Sequence, residues 1–435
     1  MNFYSLNKKS PPVNFREATI QGQAPDKGLY FPDEIHLFSK SFFHELPDYS
    51  REEIAFQVIA PYVGECIPEN DLRGIVADTI RFDFPLVKIT DQIYSLELYH
   101  GPTLAFKDVG ARFMSRCLGY FFREEKKKIT VLVATSGDTG GAVADGFHGV
   151  DGVDVIILYP SGKVSSVQEQ QLTGLGGGNI HALEVKGSFD DCQSLVKQAF
   201  ADIALREKIF LTSANSINVA RWLPQQFYYF FAWQQWPEKS NPPIISVPSG
   251  NFGNICAGLL ARQSGLPFHH FIAACNANRV VPDFLQSRVY EPMPAIHTLS
   301  NAMDVGNPSN FVRILELFHH QFKDLSGTLS SYSISDELTR QTIGKYSSSC
   351  NYLADPHGAV AIAALEKWFS NHPGQQGIIL ETAHPVKFYD SVEPIIGKKV
   401  PIPPSINSLM ARKKNSIPMD VSYNKLKEYL LDRNQ

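Results

Sequence analysis

The sequence predicts an α/β protein of mostly parallel sheets with helices on both faces. Three observations carry this. Short β-branched runs alternate with helical stretches from about residue 129 onward. The intervening stretches are long enough for the right-handed crossovers that parallel strands require. The chain has 435 residues, 43% of them hydrophobic and 11% aromatic, which supplies core for two or three domains.

Residues 1–95 read as mixed, proline-punctuated sequence and are expected to pack as an N-terminal subdomain. A second unit over 96–210 begins its alternating pattern with a strand at Ile129–Ala134, then a glycine-rich turn into a helix at Gly141–Phe147. Strands follow at Val153–Tyr159 and Asn179–Val185, each trailed by a helix, near Val164–Thr173 and over Ser188–Ala201. A third unit over 211–435 opens as the strand Ile209–Thr212 ends, and continues with one long helix from about Val219 to Trp236. Further strands are predicted at Ile244–Val247, Phe271–Ala274 and, last, Gly377–Glu381. Pro401, Pro403 and Pro404 interrupt the pattern, after which Tyr423, Leu426 and Leu430 recur at the spacing of a docking helix.

Composition excludes several classes. Lys plus Arg number 40 against 44 Asp plus Glu, a net charge of −4, so there is no basic surface for phosphate backbones and no nucleic-acid partner is expected. Glu124 to Lys128 reads as a mixed-sign surface turn, and Arg412 to Lys414 as a short basic run near the tail. No apolar window approaches the ~20 residues that span a bilayer, and Met1 to Pro12 carries no apolar stretch of signal-peptide length. The 6 cysteines (66, 117, 192, 256, 275 and 350) include no C-x-x-C pair, so free thiols in a reducing cytoplasm are expected, with neither disulfides nor a metal.

Four segments fall just after predicted strands, on the rim where open α/β sheets bind ligands. Ser136-Gly137-Asp138-Thr139-Gly140 offers small residues and hydroxyls to an anion, or else is a tight turn with Asp138 or Thr139 capping a helix. Gly250-Asn251-Phe252-Gly253-Asn254 reads as a nest of backbone donors for a phosphate group. It has neither the Lys-Ser/Thr ending of a nucleotide P-loop nor a dinucleotide fingerprint, so a phosphate without nucleotide chemistry is preferred over a glycine-rich loop needed only for a sharp chain reversal. Asn215 and Ser216 are neutral donors at a helix start, with Arg221 further along it as a possible phosphate fork or an ordinary solvated arginine. Thr382 and His384 close the set: His384 is a general base or, the commoner role before proline, structural. Lys107, flanked by Leu104, Ala105, Phe106 and Val109, is a depressed-pKa nucleophile or a snorkelling lysine beside Asp108.

Taken together, Pro102 to Asp108, Ser136 to Gly140, Ser249 to Asn254, Gly28 to Pro32 and Thr382 to Pro385 resemble, in order, the motifs of the threonine synthase family. The resemblance runs over nearly the whole chain. It implies the fold-type-II architecture of pyridoxal 5′-phosphate enzymes, related to the tryptophan synthase β subunit: two open, mostly parallel sheets with flanking helices plus an N-terminal subdomain. Residues 96–210 would then hold the lysine segment and a small mobile domain, and 211–435 the large cofactor-binding domain with a helical tail. Lys107 would carry the cofactor as a Schiff base and act as the catalytic base. Gly250, Asn251, Phe252, Gly253 and Asn254 would hold the cofactor phosphate, and Thr382 would face the pyridine nitrogen. Ser136, Gly137, Asp138 and Thr139 would cradle the substrate, with Thr139, Asn215, Ser216 and Arg221 on its phosphate.

The implied reaction converts O-phospho-L-homoserine and water to L-threonine and phosphate, the last step of threonine biosynthesis. The alternatives are a phospho-lyase or a threonine/serine dehydratase-like lyase of the same fold; a dehydratase has no need of Asn215, Ser216 and Arg221, whereas a phospho-lyase could retain them, so these residues separate it less well. The expected partner is the small-molecule substrate, with the chain a monomer or homodimer.

Overall fold

The structure is a computed structural model that describes residues 1–125, 128–175 and 177–433. Lys126 and Lys127, in the mixed-sign turn read from the sequence, lie outside these residues. The first strands are β1 (Phe3–Ser5) and β2 (Tyr30–Pro32), an antiparallel pair with Phe3 opposite Pro32. Next come β3 (Leu86–Lys88) and β4 (Ile93–Glu97), also antiparallel. They are followed by β5 (Ile129–Ala134), β6 (Val153–Pro160), β7 (Ile180–Val185) and β8 (Phe210–Thr212). The chain then forms β9 (Ile244–Pro248), β10 (His270–Cys275), β11 (Leu329–Ser333), β12 (Gly377–Glu381) and β13 (Ile417–Met419).

Two sheets organise the molecule. The larger runs β11-β10-β9-β12-β4-β3, parallel apart from the β3–β4 pair; the smaller runs β13-β7-β6-β5-β8, parallel throughout. Every residue of β5, β6, β9, β10 and β12 is buried. Helices cover both faces of such strands, which is why they read as unbroken apolar runs rather than alternating ones.

The departures from expectation have local causes. The helix expected over 219–236 is split into Val219–Trp222, a 3₁₀ turn Leu223–Gln225 and Gln226–Gln235, because Pro224 has no N–H to continue the ladder. Strand β11, Leu-Ser-Ser-Tyr-Ser, has no apolar run to announce it; at the sheet edge its hydroxyls find partners, as when Ser331 donates to the Ala273 carbonyl at 2.8 Å. Against the unit boundaries drawn from sequence, β4 crosses position 95, and β13 pairs with β7 in the smaller sheet. Behind β13 the helix Tyr423–Asp432 buries Leu426 and Leu430 with Leu183 and Cys192 of that sheet's outer layer.

The N-terminal segment is fastened by aromatics. Helix Phe15–Gln21 starts at a capping box of Asn14 and Glu17, and Phe15 meets Phe113 and Phe121 at 6.4 and 6.3 Å on the helix Lys107–Phe122. Among the described residues no helix is long and apolar enough to cross a membrane, and no group of three or more His, Cys, Asp or Glu is arranged for a metal.

Because β9, β12 and β4 are neighbours, the loops after their carboxyl ends lie side by side: 249–254, 382–384 and 98–106. In the smaller sheet β5 and β8 are likewise adjacent, which pairs the loops that start at 135 and 213. All five loops singled out in the sequence are thus strand-end loops of these two sheets.

Candidate active site

Lys107 opens the helix Lys107–Phe122. The loop before it is stitched to the loop after β12: Phe106 N–H donates to the Thr382 carbonyl at 2.9 Å, and His384 N–H to the Leu104 carbonyl at 3.0 Å. Ala105 and Ala383 form a bridge, and the Tyr228 hydroxyl donates to the Phe106 carbonyl. Leu104 takes φ +56°, a left-handed turn that these bonds hold in place. Lys107 is thereby fixed beside Thr382. Its ammonium makes no hydrogen bond or ion pair among the described residues. Burial lowers its pKa to about 8; nearby Asp138 opposes the shift, while Lys387 and Arg221 add to it.

The neighbouring Asp108 is buried, accepting from the Thr103 N–H at 2.9 Å and from the Thr103 hydroxyl. Burial raises its pKa to about 7, so it is a structural clamp on the 101–106 loop rather than a surface partner for Lys107.

The loop after β9 presents open backbone donors. Phe252, at φ +61°, turns the chain into the helix Gly253–Gln263. The N–H groups of Gly250 to Asn254 donate to no acceptor among the described residues. A Cβ on Gly250 would lie 2.7 Å from the Met303 Cα, so only glycine leaves the backbone open there. The Asn254 carboxamide accepts from the Tyr229 hydroxyl at 2.8 Å, while its buried Nδ2 has no partner. Asn251 is exposed and its Oδ1 accepts from Ser309, which leaves its backbone N–H and its side-chain Nδ2 as the donors it offers.

The smaller sheet contributes Ser136, Gly137, Asp138 and Thr139 after β5. Gly137, at φ +139°, precedes the helix Asp138–Phe147 without a side-chain cap. Neither Asp138 nor Thr139 is the cap. Asp138 is instead buried, accepting from Lys387 at 2.9 Å and from the Gln168 amide at 2.9 Å. Burial alone would raise its pKa; Lys387 and Lys107 outweigh that and hold it below the ordinary carboxylate range.

After β8 the chain places Asn215 and Ser216 before the short helix Val219–Trp222. The Ser216 hydroxyl accepts from Asn310 at 3.2 Å, and its Cβ lies 3.4 Å from where a Gly253 Cβ would stand. The two donor loops therefore adjoin. Arg221 is buried: one terminal nitrogen donates to the Ala214 carbonyl at 2.6 Å and Nε has no partner. Gly110, one turn beyond Lys107, packs against it so closely that a Cβ there would lie 3.1 Å from Arg221 Nε. Burial lowers its pKa to about 10, which leaves it cationic at neutral pH.

His384 resolves to the structural reading. Its Nδ1 accepts from Val386 N–H at 3.1 Å at the head of a 3₁₀ turn, and burial lowers its pKa to about 4. Sequence reasoning missed Lys387, which is fully buried and donates to the Thr103 carbonyl at 2.8 Å as well as to Asp138. It also missed Arg313, fully buried over the Trp222 ring, whose guanidinium donates to the carbonyls of Tyr30, Ser216 and Ile217. The available signals were weak: a lysine two residues after a proline and an arginine within an apolar helix.

Pyridoxal phosphate fits these residues. An unpaired amine, five free N–H groups around a glycine that no Cβ could replace, an orphaned Asn254 Nδ2 and a Thr382 hydroxyl without a hydrogen bond among the described residues meet at one rim. Fold and site are those of a pyridoxal-phosphate dependent enzyme, and the family so described matches residues 85–379. Families described as threonine synthase N terminus and threonine synthase, C-terminal, match 2–80 and 358–430. The threonine synthase of Serratia marcescens is 42% identical over 99% of each chain. The crystal structure of threonine synthase from Escherichia coli superposes with a TM-score of 0.92 at 40% identity, and pyridoxal-phosphate-bound threonine synthase from Brucella melitensis with 0.93 at 34%, each covering 100% of both chains. The chain belongs to the threonine synthase family.

Proposed function

We propose that this enzyme converts O-phospho-L-homoserine and water to L-threonine and phosphate. One observation carries the reading: the unpaired Lys107 amine and the open donor loop 250–254 stand on the larger sheet's rim, and the buried Arg221 of the smaller sheet packs against the Lys107 helix at Gly110, in a chain similar over its full length to threonine synthases. Pyridoxal phosphate, when bound, supplies an electron sink for the carbanions formed at the substrate's Cα and Cβ.

The chain's own residues do the rest. Lys107 carries the cofactor and, once its amine is freed by substrate, moves protons at Cα and Cβ; a pKa near neutrality suits both directions of transfer. The N–H groups of Gly250, Asn251, Phe252, Gly253 and Asn254 hold the cofactor phosphate, and the Thr382 hydroxyl faces the pyridine nitrogen without forcing a proton on it. Ser136, Gly137 and Thr139 cradle the substrate, and Asp138 contributes through its position in that loop. Thr139, Asn215, Ser216 and Arg221 bind the substrate phosphate and stabilise it as it leaves. The same reading assigns the fold-type-II label and, from free cysteines among the described residues, a reducing cytoplasmic setting.

The test is product analysis with purified protein, pyridoxal phosphate and O-phospho-L-homoserine. Equimolar threonine and phosphate, absent without cofactor, is the expected result. Phosphate accompanied by 2-oxobutyrate would instead make the protein a phospho-lyase.

A further inference from the structure

Lys387 lies on the 3₁₀ turn Pro385–Phe388 that follows β12, yet its ammonium reaches two other segments. It donates to the Thr103 carbonyl at 2.8 Å, in the loop that leads to Lys107, and pairs at 2.9 Å with Asp138, at the head of the helix after β5. Its side chain is 0% exposed. The Gln171 amide donates to the same Thr103 carbonyl at 2.9 Å, and Gln168 to the same Asp138 oxygen at 2.9 Å. The lysine thus joins the larger sheet's rim to the smaller sheet's rim through buried, fully directed bonds.

The charged groups that face Lys107 are Asp138 from the helix Asp138–Phe147, Lys387 from the turn after β12, and Arg221 from the helix Val219–Trp222. Asp108, next in sequence, has its oxygens committed to Thr103. Asp138 is therefore the single carboxylate available to capture the Lys107 ammonium among these groups. A buried Lys107–Asp138 pair would hold the amine protonated and tethered, and so unable to attack a carbonyl or accept a proton.

We propose that Lys387 is a positioning residue of this site: it takes Asp138 as its own ion-pair partner and so keeps the Lys107 amine free to react. The inference rests on Lys107 being the reactive amine, and goes beyond it in naming what keeps it so. It also explains how an aspartate is tolerated in the substrate-cradling loop, because its charge is spent on Lys387 and Gln168 rather than on the reacting groups.

The test titrates Lys107 itself, independently of turnover. The full-length chain, freed of cofactor, is labelled with limiting acetic anhydride between pH 6 and 11, and the Lys107 peptide is quantified by mass spectrometry. Lys387→Met should raise the apparent pKa of Lys107 by about one unit, about tenfold less labelling at pH 7. Asp138→Asn should move it the opposite way and increase labelling several-fold, and the double variant should return near the parent value. Unmoved titrations, or both single variants shifting in one direction, overturn the proposal. Should Lys387→Met fail to fold, Asp138→Asn decides alone: labelling that does not rise counts against it. Failure of the parent reading looks different, namely cofactor-dependent turnover that survives Lys107→Ala.

Discussion

At the scale of single residues, the site is governed by desolvated charge. Lys107 sits with its pKa lowered to about 8 by burial, helped by Lys387 and Arg221 against Asp138. Only the neutral amine attacks an aldehyde, so capture of pyridoxal phosphate by the stripped protein should quicken about tenfold per pH unit up to 8 and then level off. Stopped-flow absorbance against pH measures this; a rise that continues to pH 10 would show a lysine of ordinary basicity. Arg221 is buried with an unpartnered Nε. A charge-assisted hydrogen bond contributes about 1.5–3 kcal/mol, so Arg221→Ala should lower kcat/KM for the phosphorylated substrate roughly ten- to a hundredfold. An equal loss for an unphosphorylated analogue would mean that the arginine holds the fold instead.

Elements are where this architecture places its loops and where the tail acquires a role. Strand β13 forms the free edge of the smaller sheet, held by parallel pairing of Ile417 to Met419 with Leu183 to Val185. The helix behind it seals that edge through Leu426, fully buried with Leu183, Leu195 and Cys192. Leu426→Ala should cost about 2–5 kcal/mol, the usual range for a deleted core leucine. Hydrogen exchange should report the loss in β6 and β7, with the larger sheet unchanged; uniform loss would show that the two sheets unfold as one unit. Proline acts at the same scale, since Pro224 turns one expected helix into two and directs Gln226–Gln235, with its aromatic residues, into the core.

For the whole molecule, cofactor binding and folding are linked. A ligand present at a hundred times its Kd stabilises the native state by about 2.7 kcal/mol, so removing pyridoxal phosphate should lower Tm and restoring it should raise it again. Gly250→Ala should abolish that response and also lower the Tm of the stripped protein, because its Cβ would lie 2.7 Å from the Met303 Cα and 3.1 Å from the Ala302 carbonyl oxygen, so the backbone there must shift. Much of this was legible in the sequence. The buried parallel strands announced themselves as apolar runs, and the segments around Ser136, Asn215, Gly250 and Thr382 stand just after predicted strands, where open α/β sheets bind ligands. By itself, then, the sequence determined the fold class and the strand-end loops, because these depend on hydrophobic period and local turn chemistry, while Lys107 was singled out by the resemblance to the threonine synthase family. Tertiary structure alone decided that Asp138 pairs with Lys387, that Arg313 binds three carbonyls from two distant segments, and that β13 pairs with β7 at the edge of the smaller sheet. Each of those is a contact between residues far apart along the chain, and the partner of a buried charge is chosen by which strands lie adjacent, which no local pattern encodes.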